Sequence, residues 1–111
     1  MGVEVSWNQT RVTGQLLSVP QLSWTPARVP IVQFWLEHRS RAEEAGQERD
    51  VFCRIPVYVV GEALSYQAQA LGAGEAVEIV GFLSQPRSRR KPPPLELHAQ
   101  SLRSLVPSPD P

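Results

Sequence analysis

The chain has 111 residues and a mass of 12.4 kDa, which is one domain's worth. Hydrophobic residues make up 41% and charged residues 20%, enough for a packed core and against wholesale disorder. Eleven basic and eleven acidic residues cancel, so a uniformly basic nucleic-acid coat is excluded and any polyanion contact must come from local charge asymmetry.

Eleven prolines argue against long helices and for short elements joined by stiff turns. The first predicted strand runs from about Thr10 to Val19, with Val12, Gly14 and Leu16 on one face. Pro20 ends it, and a loop rich in Pro, Ser and Trp leads to Pro30. The second strand is Ile31 to Ser40, where Val32, Phe34 and Leu36 alternate with Gln33, Trp35, Glu37 and Arg39. A charged turn from Arg41 to Arg49 follows. The third strand is Asp50 to Val60. Val51, Cys53, Ile55, Val57 and Val59 share its apolar face, and Phe52, Arg54 and Tyr58 point the other way.

After Gly61 the period changes. Leu64, Ala68 and Leu71 predict a short amphipathic helix, stopped by Gly72 and Gly74. The fourth strand is Glu75 to Ser84, the next loop (Gln85 to Pro94) is dominated by Arg and Pro, and the fifth strand runs from Leu95 to about Val106. Five strands with one short helix between the third and fourth is the element order of an OB-fold, an all-β five-stranded barrel. We expect a single domain over residues 1–105 and a flexible tail over 106–111.

No catalytic constellation emerges, and no metal site or cofactor is expected. His38 and His98 fall on different strands, without the spacing of a metal pair. A lone cysteine excludes a disulfide framework and a Cys-rich zinc site. Its place on the apolar face predicts that Cys53 is a buried, inert thiol. No apolar run reaches the roughly 18–20 residues that span a bilayer. Met1-Gly2-Val3-Glu4 lacks a secretory signal's pattern. No membrane partner is expected.

Two features point to single-stranded nucleic acid. If strands two and three pair with Arg39 opposite Phe52, then Glu37 faces Arg54, Leu36 meets Ile55 and Phe34 meets Val57, so one register satisfies both faces. That register gathers Trp35, Arg39, Phe52, Arg54 and Tyr58 outside the barrel. Rings can stack on bases and guanidiniums can pair with phosphates, and the strand 2–3 face is the usual nucleic-acid surface of OB-folds. The second feature is Arg87, Arg89, Arg90 and Lys91, with no acid between Glu78 and Glu96. They lie in the loop beside the same groove, and flanking prolines hold it extended. The exposed apolar residues Trp7, Leu17 and Trp24 predict a subunit contact.

Gln33-Phe34, Leu36-Glu37-His38-Arg39-Ser40, Glu43-Glu44-Ala45-Gly46, Cys53, Pro56-Val57, Gly61, Gly81-Phe82 and Leu97-His98-Ala99 closely resemble the primosomal replication protein N (PriB) family. The resemblance covers roughly Asn8 to Leu105. It implies an OB-fold homodimer without enzymatic activity, a cytoplasmic accessory protein of bacterial replication restart, nucleoid-associated during that process. Its implied partners are single-stranded DNA, the PriA helicase on forked DNA, and DnaT where that protein occurs. By position, Arg39 and Phe52 match family DNA contacts, with Phe52 at a stacking Trp, and Arg87 and Arg89 match basic loop positions. Ser23, Gln47 and Pro94 stand where better-known members carry Lys, an aromatic residue and Lys, which implies weaker DNA binding. The alternative expectation is a protein–protein adaptor for the helicase with little DNA affinity of its own.

Overall fold

In the computed structural model, which describes residues 5–86 and 94–105, the strands and the one helix follow one another much as the periodicity predicts. The elements are β1 (Thr10–Leu16), β2 (Gln21–Trp24), β3 (Pro30–Glu44), β4 (Gln47–Val60), α1 (Glu62–Gln69), β5 (Ala76–Ser84) and β6 (Glu96–Ser104). The expected 106–111 tail and the loop residues Arg87, Arg89, Arg90 and Lys91 lie outside the described residues. The sheet order is β1-β5-β6-β4-β3-β2, and β1 also pairs with β3 through Gln15↔Glu37 and Leu16↔Leu36. That last pairing closes five strands into a barrel, with β2 as an added edge strand beside β3. The helix falls between β4 and β5. The small difference from the expected numbering comes from β2, which forms within the stretch read as loop.

The alternating residues do what the pattern requires. Val32, Phe34 and Leu36 of β3 face Val57 and Val59 of β4, Val77 and Ile79 of β5 and Leu97 of β6, all buried. Each such side chain contributes about 1.5–3 kcal/mol on removal from water. Ala68 and Leu71 bury the helix against the barrel, although Leu71 lies beyond the last helical residue. Ser65 is fully buried and satisfied, its hydroxyl donating toward the Val59 and Pro30 carbonyls at 3.1 and 3.3 Å.

Two places depart from simple alternation. Gly81 opposes Ala99 while Val80 opposes Ser101, so Gln100 is an extra residue in β6. Such a bulge reverses the side-chain phase. Leu97 is buried before it and Leu102 after it, an odd position followed by an even one. The second departure is the β3–β4 hairpin. The charged stretch 41–49 is not a loop: the ladder continues to Glu44↔Gln47 around Ala45 and Gly46. Both have positive φ (53° and 78°), as a tight two-residue hairpin turn needs. Arg41 bridges to Glu48 (3.3 Å) and Asp50 (3.4 Å), and Arg49 to Glu44 (2.5 Å), so opposite charges zip the arm together.

The long hairpin also corrects the reading of Cys53. Its side chain is on the inward face as expected, but at that height the strands have passed the barrel mouth and no core lies opposite. Cys53 is exposed.

Candidate nucleic-acid interface

The register that satisfies both faces is the one observed: Arg39↔Phe52, Glu37↔Arg54, Leu36↔Ile55 and Phe34↔Val57. It gathers Arg39, Phe52 and Arg54 into one cluster on the outer face of β3 and β4. The Arg39 guanidinium carbon lies 4.7 Å from the Phe52 ring centroid, and that of Arg54 lies 5.6 Å away. Both are cation–π distances. Phe52 is 51% exposed, so part of its ring is open to solvent. Trp35, also exposed, is further along the same face of β3, opposite Pro56.

Glu37 completes the cluster. Arg54 donates to its Oε2 from Nε and Nη2, both at 2.9 Å, and Arg39 donates from Nε to Oε1 at 3.3 Å. The bond from Arg54 holds the Glu37 carboxyl below the ordinary carboxylate range. Partial burial opposes it, and Arg39 adds to it. The sequence paired Glu37 with Arg54 through cross-strand register; it gave no sign that Arg39, two residues away on the same strand, shares that carboxylate.

Tyr58 does not join this cluster. It stacks on His98 (centroids 5.5 Å apart, planes 20° apart), and His98 stacks on Phe82 (5.1 Å, 6°). His98 Nε2 donates to Glu96 at 2.7 Å. This row crosses β4, β6 and β5, and it was missed because a single-strand period cannot show that rings on three strands align. The pairs Tyr58↔His98 and Phe82↔His98 bring them together. His38 is likewise spoken for. The Thr13 carbonyl can only accept, so Nδ1 donates to it at 2.6 Å, and in the neutral ring Nε2 accepts from the Ser40 hydroxyl at 2.7 Å. Among the described residues no group of three or more His, Cys, Asp and Glu could hold a metal, and no helix is long and apolar enough to cross a membrane.

Beyond the cluster the arm changes sign. Residues 41–50 carry two arginines against four carboxylates, a net of −2. Net positive charge on this face of the hairpin is therefore confined to the part nearest the barrel.

A family model described as another single-strand binding protein family matches residues 8–101. With the closed barrel and its arginine-flanked ring, that match places the chain among single-strand-binding proteins of OB fold. The replication restart protein PriB of Photorhabdus laumondii is 35% identical over 95 residues, covering 86% of this chain and 90% of the relative. That of Vibrio cholerae is 36% identical over 98 residues, covering 88% and 98%. The structure of PriB from Ralstonia solanacearum superposes with a TM-score of 0.75 at 27% identity, covering 89% of this chain and 99% of that one. The chain belongs to the PriB family of replication restart proteins.

Proposed function

We propose that this protein binds single-stranded DNA across the outer face of β3 and β4 and acts as a non-enzymatic accessory subunit of bacterial replication restart in the cytoplasm. The observation that carries the reading is the Arg39–Phe52–Arg54 cluster, a ring and two guanidiniums on the face OB-folds use for nucleic acid. Trp35 extends that surface. Arg87, Arg89, Arg90 and Lys91 join it on sequence grounds alone. In this role the protein stabilises the PriA helicase on forked DNA and helps hand the complex on to DnaT, as the sequence resemblance implies.

Anisotropy of a labelled oligo-dT across a salt series tests the reading. Contact with about four to six phosphates gives log K against log salt a slope of about −3 to −4, and neutralising Arg87, Arg89 and Arg90 together flattens it by about 2. Binding barely measurable at low salt would favour the second reading, a protein adaptor for the helicase. One observation favours that reading: Glu37 and the acidic arm both oppose a polyanion.

The working unit is a homodimer. Thr10–Gly14 of β1 pair with β5, whereas β3 is paired only with Gln15 and Leu16. Apart from the Thr13 carbonyl, which accepts from His38, the β3-side edge of β1 over residues 10–14 is available to a second copy. Exposed Trp7, Leu17 and Trp24 supply apolar surface for a contact. Light scattering is expected to give twice the chain mass of 12.4 kDa at micromolar concentration; a monomer mass would remove this element.

A further inference from the structure

The cluster on the β3–β4 face is occupied by its own carboxylate. A guanidinium lying over the Phe52 ring takes the place a base would need for stacking there. Arg39 gives its Nε edge to Glu37, and Arg54 gives both Nε and Nη2. Those are the fork atoms that a phosphate would engage in two-point contact. The Glu37 side chain is only 15% exposed, against 71% for Arg39 and 56% for Arg54. The carboxylate therefore sits beneath the two cations, and an approaching strand meets the guanidiniums first.

We propose that Glu37 is a latch on this interface. In the free protein it holds Arg39 and Arg54 against Phe52, and single-stranded DNA must compete with it for the same guanidiniums. Phosphate capture and base stacking are then one coupled event: the phosphates draw the arginines off the carboxylate, and the ring face is uncovered as they move. Exposed ion pairs are weak enough to be exchanged in this way, and a phosphate offers the fork the same charge and geometry as the carboxylate it displaces. The latch rests on the reading that this face binds single strands, and it makes Glu37 a positioning residue that tunes affinity without touching DNA.

The test compares oligo-dT binding by the full-length wild type, Glu37→Gln and Glu43→Gln at one low salt concentration. Glutamine keeps the size and one acceptor oxygen of Glu37, removes the charge, and puts an amide NH2 in place of the second oxygen, so it can no longer hold both arginines. Glu43 is an outer-face carboxylate of the same strand, farther along the arm, and controls for net charge. Glu37→Gln is expected to bind about three- to tenfold tighter, the scale of releasing two exposed ion pairs, with Glu43→Gln changing affinity by less than about twofold. Equal gains in both variants would overturn the latch in favour of a general charge effect. Unchanged or weaker binding by Glu37→Gln, with the wild type binding well, would overturn the latch and leave the interface standing. Failure of both wild type and Glu37→Gln to bind at low salt would overturn the interface itself, and the latch with it.

Discussion

Gly81→Ala is expected to destabilise the protein by about 3 kcal/mol, at the upper end of what overpacking costs. A Cβ at this position would stand 1.9 Å from the His98 carbonyl oxygen, 2.8 Å from its carbon and 3.0 Å from the Ala99 Cα. All three atoms are backbone, so no rotamer change relieves the contact. Either β5 and β6 move apart or the bulge at Gln100 is undone. Undoing it would reverse the phase that buries both Leu97 and Leu102. The glycine is thus required by space rather than by its torsion angles. A thermal melt followed by circular dichroism should show a midpoint lower by about 10 °C or more. A midpoint within a few degrees of wild type would mean that the two strands can separate locally at little cost, contrary to their tight approach.

The second large effect is on DNA. Replacing both Arg39 and Arg54 by glutamine is expected to weaken oligo-dT binding by at least about tenfold at low salt and to flatten the salt dependence by about 1.4, two phosphate contacts on a single strand. The loss has two parts. Two cations disappear, and Glu37 is left facing the strand without a partner, which turns a local charge of +1 into −1. Adding Glu37→Gln to the double variant should recover the second part and leave the first. An unchanged slope in the double variant would place the DNA elsewhere on the protein.

The barrel was legible in the sequence because β3 and β4 alternate regularly within the barrel and because two independent pairings, Glu37 with Arg54 and Phe34 with Val57, agree on one register. What periodicity cannot report is what lies opposite a face. Cys53 occupies an inward position, yet it is exposed because β3 and β4 outrun the barrel. The arm itself was hidden by its composition. Arg41, Glu44, Glu48, Arg49 and Asp50 look like solvated turn residues until they are paired across strands. The phase change at Gln100 left no mark in a pattern read one strand at a time. The β3–β4 cluster was half legible. Its members and their register followed from the sequence, whereas the second arginine on Glu37 and the guanidiniums over Phe52 depend on side-chain conformations that no spacing encodes.

The long arm also bears on how the chain finds its register. Glu44↔Gln47 closes the shortest loop in the sheet, around Ala45 and Gly46, whereas Thr10↔Gly81 joins distant parts of the sequence. Closing a short loop costs little entropy, and hairpins form within about 1–10 μs. Pairing that starts at this turn and runs down the charged arm arrives at Phe34 and Val57 already in step. A slip of one residue on the way would send Phe34 and Leu36 to the solvent side and set the arm's opposite charges out of line. The ion pairs far from the core thus act as a ruler for it, favouring the same register that buries Phe34 and Leu36.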